Sequence, residues 1–286
     1  MKGVIERIIS PSETLVIIGN GFDVAHDIKS KYKHFKEYCN FYKKCNGVDE
    51  LFELDGDWNN IELGLTNYDV IRLLESERYS YDWELRQLYE LFLKWVDSLE
   101  INNIQPLTHY ELHKDSWYLT FNYTETLERI YNIPNSQIFH IHGSRLNKDK
   151  NYIFGSGEER DITHLELYSG DFADKYEEIE EIMVTMNLDY TKPIWELSQK
   201  VKKLLEDKDI QMIKVHGHSM GKVDWPYFEE IINKVGDWTL WSIDYYNEDD
   251  VARIKRFKEE KSLHCVEIRC VNDKDTKNYL KIKDLA

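Results

Sequence analysis

The feature that most constrains this fold is a repeated pattern in which a short apolar run ends at glycine, asparagine, histidine or serine. The first run, Thr14–Ile18, is typical of a strand buried on both faces of a sheet. Similar β-type runs recur along the chain, with helical stretches between them, at Trp117–Phe121, Gln137–Ile141, Ile210–Val215, Trp238–Ile243 and His264–Val271. Strands that alternate with helices favour a mostly parallel sheet covered on both faces. The sequence therefore predicts a doubly wound α/β fold.

A long helical segment separates the first two predicted strands. Apolar residues at intervals of three or four predict a helix over Lys31–Lys44, and two more around Ile61–Leu74 and Leu85–Leu99. We interpret residues at about 30–112 as a helical insertion into one α/β domain that spans residues 1–286. The remaining predicted helices are Leu127–Tyr131, Tyr227–Val235, Glu248–Glu259 and a helical region with a solvated acidic run, Glu177–Glu181.

The charge balance restricts the partners. The chain has 37 Lys and Arg against 53 Asp and Glu, a net charge of -16, and no basic cluster, so nucleic-acid binding is not expected. The N-terminus lacks a secretory apolar stretch, and no segment approaches the ~20 apolar residues of a membrane span. We therefore expect a cytoplasmic protein without membrane contact. A homo-oligomer is compatible with this composition.

Polar residues follow four of the predicted strands. In doubly wound sheets, ligands bind beyond the carboxyl ends of the strands, near the point where the strand order reverses. The four groups therefore predict one shared site, and they are Gly19-Asn20-Gly21-Phe22-Asp23, Asn122-Tyr123-Thr124, His142-Gly143-Ser144, and Gly217-His218-Ser219-Met220-Gly221 with Asp224 beyond.

The turn Gly19–Asp23 has two interpretations. Its glycines would let backbone amides approach a pyrophosphate closely, and Asp23 would then hold a ribose hydroxyl. The alternative is that the glycines only form a sharp turn and that Asp23 caps the next helix. The turn lacks the full G-x-G-x-x-G pattern, so the residues alone leave both open.

Two further residues suit chemistry on a nucleotide. The Asn122 amide both donates and accepts hydrogen bonds, which suits the orientation of a ribose or a water. His142 is a candidate general base, and the alternative is a hydrogen-bonded core residue. His140 and His142 could together bind a metal, but no third ligand follows at a fixed spacing. The four cysteines also match no zinc pattern, so we expect no metal: Cys39, Cys45, Cys265 and Cys270.

A competing interpretation is a serine hydrolase. Gly217–Gly221 fits the G-x-S-x-G nucleophile elbow between a predicted strand and a predicted helix. Ser219, Asp244 and His264 would then form the triad in the order of this enzyme class. His264 begins a strand instead of following one, and Pro226 delays the helix, so the context disfavours this alternative.

Taken together, the motifs resemble the abortive-infection AbiH family of bacterial anti-phage proteins. The resemblance covers the chain from the first strand to about Phe228. It depends on four segments in the family's order, which are Gly19–Asp23 with Tyr32 and Phe35, Thr120–Glu128, His140–Gly143 and Gly217–Phe228. The family in turn looks distantly similar to sirtuin-like proteins, which have a Rossmann-type doubly wound sheet with a helical module and which bind or cleave NAD.

The resemblance implies a function and a set of site residues. It nominates Asn122 and His142 as catalytic residues of a hydrolase that cleaves the nicotinamide–ribose bond of NAD or a related nucleotide. For nucleotide binding it implies Gly19, Gly21, Gly217, His218 and Ser219. From the same loops we add Asn20, Phe22, Asp23 and Asp224 as expected nucleotide-binding residues. Asn20 replaces the alanine usual in the sirtuin turn, and no zinc-binding cysteine quartet exists, which argues against protein deacetylation. A nucleotide sensor that does not cleave its ligand is a further alternative. The resemblance also implies a phage-derived trigger as a partner.

Overall fold

The computed structural model describes residues 9–41, 81–147, 149, 152–155, 191–271 and 280–281, with the side chains of 81–87 and 280–281 left aside. The chain divides into two compact units. The first comprises Met1–Lys29, Glu100–Asn151 and Ile194–Ala286, and it contains the sheet. The second comprises Ser30–Leu99 and Tyr152–Pro193.

The first unit is built on one seven-stranded sheet. Its strands are β1 (Thr14–Ile18), β2 (Trp117–Thr120), β3 (Ile138–His140), β4 (Met212–His216), β5 (Leu240–Tyr245), β6 (Val266–Cys270) and β7 (Leu280–Lys281), in the order β3-β2-β1-β4-β5-β6-β7. The first six strands run parallel and β7 runs antiparallel to β6. The chain builds one half of the sheet outward from β1 and then returns to begin the other half at β4, so the switch point lies between β1 and β4. The predicted doubly wound class is confirmed.

Helices connect these strands in the alternating order that the sequence predicts. They are α1 (Asn20–Ala25), α2 (Tyr32–Phe41), α3 (Tyr81–Ser98), α4 (Thr126–Tyr131), α5 (Ile194–Leu205), α6 (Trp225–Val235) and α7 (Glu248–Glu260). The predicted helices at Lys31–Lys44 and Leu85–Leu99 correspond to α2 and α3. The predictions for Ile61–Leu74 and for the acidic run Glu177–Glu181 lie outside the described residues, and the insertion as a whole stays a prediction.

Strand β1 lies between β2 and β4 in the sheet, and every one of its residues is buried. Its side chains alternate between the two faces, and Val16 and Ile18 pack on one face against Phe22 of α1 and Leu127 of α4. Burial on both faces accounts for its unbroken apolar character. This packing fixes the carboxyl end of β1 and the turn that follows it.

Several strand boundaries differ from the predicted ones, and the starts of two strands are linked by a contact between rings. Strands β5 and β6 begin at Leu240 and Val266, two residues later than the predicted starts at Trp238 and His264. The rings of Trp238 and His264 stack on each other at 4.2 Å in the preceding loops. These two side chains therefore make a contact between loops at the amino ends of β5 and β6, and they do not belong to the strands.

The second unit has its own aromatic packing. Phe35 of α2 lies between two rings of α3, with centroids 5.6 Å from Phe92 and 5.2 Å from Trp95. Phe92 also stacks on Phe154 at 4.0 Å. These rings pair α2 with α3, as the helical spacing of their aromatic residues predicts.

Among the residues that the structure describes, no helix combines the length and the apolar character needed to cross a lipid bilayer.

Candidate functional site

Four neighbouring strands of the first unit end in one row. The strand register pairs their last residues across the sheet, in the order His140, Thr120, Ile18 and His216. Two positions beyond each of these residues the chain carries a polar side chain, and these are His142, Asn122, Asn20 and His218. The parallel register therefore brings the four sequence-predicted groups to one carboxyl edge, on both sides of the switch point.

The glycines at this edge are required by a close contact between two loops. A Cβ atom added to Gly19 would lie 2.5 Å from the His218 Cα, and one added to Gly21 would lie 2.8 Å from the Gly217 carbonyl oxygen. Gly217 has a φ of +66°, and a Cβ there would lie 2.0 Å from the Phe22 nitrogen. The turn after β1 and the loop after β4 thus pack backbone against backbone, which only glycine permits.

The amides of the turn after β1 are used within the chain. Gly19 N donates to His216 O at 3.0 Å, Gly21 N donates to Gly217 O at 2.7 Å, and Phe22 N donates to Gly19 O at 3.0 Å. The helix α1 begins directly at Asn20, where the sequence indicated a turn. Nucleotide binding by this turn stays a prediction, and it would have to use groups other than these three amides.

Asn122 is held from both its backbone and its side chain. Its backbone nitrogen donates to Thr120 Oγ1 at 3.1 Å, and its side-chain Nδ2 donates to Gly19 O at 3.1 Å. The same side chain hydrogen-bonds Asp23. Since a carboxylate only accepts, Nδ2 donates in this second bond as well, and Oδ1 is left as the atom that can accept.

Asp23 is a buried carboxyl whose partners are neutral. It is 1% exposed, and it accepts from Thr124 Oγ1 at 2.5 Å and from Thr126 Oγ1 at 2.8 Å. Burial raises the pKa of Asp23 to about 6, against the opposing effect of these hydroxyls, of Asn122 and of the nearby His140. Asp23 therefore ties α1 to the loop after β2, and it titrates close to neutrality.

His142 lies in a pocket of aromatic rings. It is 5% exposed, and its ring centroid is 5.5 Å from Phe121, 6.1 Å from Tyr227 and 6.4 Å from Tyr123. Phe121 also contacts His218, with centroids 4.4 Å apart. The Phe121 ring thus brings together the histidines that follow β3 and β4.

The hydrogen bonds of His218 define its protonation. Met220 N donates to His218 Nδ1 at 3.0 Å, so Nδ1 carries no proton. The ring is then neutral with its proton on Nε2, and Nε2 lies 3.5 Å from Asp224 Oδ2. His218 is therefore a donor, and it faces Asp224, another residue that the sequence analysis placed at the site.

His140 cannot act as a metal ligand in this arrangement. Its Nδ1 is 2.9 Å from Asn122 O and its Nε2 is 2.8 Å from Glu128 Oε1, so both ring nitrogens are used. In the described part of the chain, no group of three or more His, Cys, Asp and Glu side chains is arranged to hold a metal ion. In this arrangement neither ring nitrogen of His140 is available for the His140–His142 metal pair.

The serine hydrolase triad is not formed. Ser219 is exposed after the carboxyl end of β4, whereas His264 precedes β6 at the opposite edge of the sheet and pairs with Asp237 at 3.3 Å. The strained residue of the segment is Met220, with a φ of 56°, and not Ser219 as a nucleophile elbow requires. The helix α6 begins only at Trp225, with Pro226 in its first turn.

The proposed triad acid, Asp244, belongs to a different network. Asp244 Oδ2 is 2.7 Å from His216 Nδ1, and Arg269 donates to both carboxylate oxygens at 3.0 and 2.9 Å. Burial alone raises the pKa of Asp244, but the charges and hydrogen bonds of His216 and Arg269 outweigh it and hold the pKa below its ordinary value. The sequence predicted neither partner of this carboxylate.

The fold and this edge define an α/β protein of Rossmann-type strand order with a polar site at the carboxyl ends of its strands. The model of the family described as bacteriophage abortive infection AbiH matches residues 15–87 and 78–245, which cover most of the chain. This chain belongs to the AbiH family, and its role is accordingly in abortive infection by bacteriophage. Searches of curated proteins and of solved structures found no match.

Proposed function

We propose that this AbiH protein acts in anti-phage defence by hydrolysing the nicotinamide–ribose bond of NAD or a related nucleotide. The observation that carries the proposal is the row of Asn20, Asn122, His142 and His218 at one carboxyl edge. This edge includes the strand-order switch point, where doubly wound proteins bind nucleotides.

The reaction requires three things of such a site. Departure of nicotinamide leaves an oxocarbenium-like ribose, so the site has to fix the ribose, stabilise a developing positive charge and direct a water to the anomeric carbon. A histidine with a lone pair and an amide with an acceptor oxygen are suited to the last task. The edge carries both groups.

His142 is the proposed general base or the partner of a ribose hydroxyl. The rings of Phe121, Tyr123 and Tyr227 around His142 offer apolar faces to a ribose or a nicotinamide ring.

Asn122 is proposed to orient the water or the ribose through Oδ1. Its Nδ2 bonds to Gly19 O and Asp23 hold the amide in one orientation, so Oδ1 is presented without the loss of side-chain freedom on binding. Asp23 is mostly ionised above about pH 6, and its negative charge behind Asn122 would favour a positively charged ribose.

Nucleotide binding would use the remaining groups of the edge. The glycines Gly19, Gly21 and Gly217 and the Phe22 amide shape the edge by internal contacts. We therefore propose that Asn20, His218, Ser219 and Asp224 supply the polar contacts to the nucleotide. Ser219 is exposed and His218 carries a donor hydrogen, which suits phosphate or ribose oxygens.

The test is to incubate the purified full-length protein with NAD and to quantify nicotinamide and ADP-ribose by liquid chromatography and mass spectrometry. The His142→Ala and Asn122→Ala variants should release nicotinamide at least ~100-fold more slowly, as expected for loss of a general base or of the group that directs the water. The matched control is His264→Ala, a histidine of the opposite edge, which should keep the parent rate.

The thermal unfolding of each variant separates a lost reaction from a lost fold. A folded Asn122→Ala or His142→Ala protein that cleaves NAD at the parent rate would remove the assignment. Retention of NAD by the parent without turnover, including during phage infection, would instead support a nucleotide sensor.

A further inference from the structure

Behind Asn122 lies a hydrogen-bonded pair of titratable side chains. His140 is the last residue of β3, and Glu128 belongs to α4. The Nε2 atom of His140 is 2.8 Å from Glu128 Oε1, and its Nδ1 atom is 2.9 Å from the main-chain oxygen of Asn122. Only 10% of the His140 side chain and 9% of the Glu128 side chain are exposed. Solvent therefore competes little with either bond.

These two bonds require a second proton on the pair. The oxygen of Asn122 is a carbonyl and only accepts, so Nδ1 of His140 carries a proton. A neutral ring would then present the lone pair of Nε2 to a carboxylate oxygen at 2.8 Å, and two acceptors repel at that distance. A proton must lie between Nε2 and Oε1. Because a carboxylic acid gives up its proton more readily than an imidazolium, this proton belongs to His140.

We propose that Glu128 holds His140 as an imidazolium and that this cation donates a hydrogen bond to the main-chain carbonyl of Asn122. Glu128 and His140 are then positioning residues for Asn122. The inference rests on the proposed function for its kinetic consequence. The proton placed on His140 and its contact with Asn122 are argued from the hydrogen bonds and do not depend on that function.

The neighbouring charges favour the imidazolium. The carboxyl groups near His140 are Glu128, which it contacts directly, and Asp23, whose pKa the charge of His140 lowers. Asp23 in turn bonds the side chain of Asn122. Asn122 is thus held at its main chain by a cation and at its side chain by an anion, with both ends of the residue fixed.

Replacing Glu128 by glutamine isolates the charge. In Glu128→Gln the amide nitrogen can donate to Nε2 of a neutral His140, while Nδ1 still donates to Asn122 O. The hydrogen bonds are kept and the extra proton is lost. The complementary variant His140→Gln removes the ring, and it assigns the histidine signals in a spectrum.

The experiment is a long-range nitrogen–proton NMR spectrum of the histidine rings in the full-length protein at about pH 7.5, where an ordinary histidine is mostly neutral. We expect both ring nitrogens of His140 at imidazolium shifts in the parent. Glu128→Gln should move them to those of a neutral ring protonated at Nδ1, and the carbonyl carbon signal of Asn122 should move with them. The signals of His264 serve as the internal control and should stay in place.

A neutral His140 in the parent would overturn the inference. An Asn122 carbonyl carbon signal that has the same shift in the parent and in Glu128→Gln would also overturn it. A second measurement is the rate of NAD hydrolysis. Glu128→Gln should lower kcat about 10-fold or more and leave KM within about twofold, as for other groups that orient a catalytic residue. An unchanged kcat would also overturn the positioning role. If the parent cleaves no NAD, the proposed function fails, whereas the NMR spectra still decide the state of His140 and its contact with Asn122.

Discussion

Two buried aspartates on the same sheet edge, Asp23 and Asp244, are 1% and 4% exposed, yet their pKa values move in opposite directions. The partners of Asp23 are hydroxyl and amide groups, and burial raises its pKa to about 6. Asp244 faces Arg269 and His216, whose charges hold its pKa low. Similar burial therefore accompanies opposite shifts of the two pKa values, because the charge of the partners determines the direction of the shift.

This difference separates two regions of the edge. Around Asp244 the charges neutralise one another, which is typical of a structural network. Around Asp23 the compensation is weaker, because its direct partners are neutral and the charge of His140 is the smallest cause that acts on its pKa. Asp23 also lies next to Asn122, the residue that we propose to act on the substrate. Strained or uncompensated groups of this kind are more frequent at functional sites than elsewhere. The region of Asn122 and His142 is therefore the functional one in our account.

Replacing Asp244 should have the largest effect on stability. Asp244→Asn leaves Arg269 and His216 buried without their carboxylate, and we expect the free energy of unfolding to fall by about 3–5 kcal/mol. Urea denaturation at neutral pH measures it. Because the pKa of Asp244 is lowered by folding, this contribution is present above the unfolded pKa of about 4 and is lost as the pH falls below it.

The control for this change is Asp237→Asn, a half-exposed aspartate that also pairs with a histidine. Asp237→Asn should lower the free energy of unfolding by less than about 1 kcal/mol. Equal losses for Asp237→Asn and Asp244→Asn would mean that the buried network is not structural.

Replacing Asp23 should change stability with the opposite dependence on pH. A pKa raised by folding means that the parent loses stability as the pH rises from about 4 through 6, by up to about 3 kcal/mol. Asp23→Asn cannot titrate, so its stability relative to the parent should increase by this amount over the same range. Urea denaturation at several pH values measures the slope, and a difference that does not vary with pH would contradict the raised pKa.

The hydroxyl partners of Asp23 should have a smaller effect. Thr124→Val removes one donor from the ionised carboxyl, so we expect a loss of about 1–2 kcal/mol at neutral pH and a higher pKa of Asp23. Carbon NMR of the Asp23 carboxyl reports the pKa directly. Thr239→Val, which removes a hydroxyl bonded to the Val235 carbonyl, is the matched control and should leave the Asp23 titration unchanged.

The sequence predicted the fold class and the alignment of four polar groups at one edge of the sheet, for local reasons. The continuous run of β1 and the polar residues after each strand are signals within single segments. A parallel sheet aligns the carboxyl ends of its strands, so four local signals were enough to predict one edge.

The contacts within the site depend on distant residues and were not predicted. Asp244 pairs with Arg269 because the register of β5 and β6 places them side by side. Thr124 and Thr126 are more than 100 positions from Asp23, and only their place after β2 hinted at a role. The helix α1 was interpreted as a turn because glycine disfavours helices, but the contact with Gly217 requires glycine there.

The most direct test of the account is the nucleotide content of phage-infected cells that express the parent protein, Asn122→Ala or His142→Ala. We expect NAD to fall and nicotinamide to rise in infected cells with the parent, together with protection of the culture. Both variants, expressed at the parent level, should lose the NAD change and the protection. Protection by folded His142→Ala protein, or protection by the parent with NAD intact, would contradict the claim that this edge cleaves NAD.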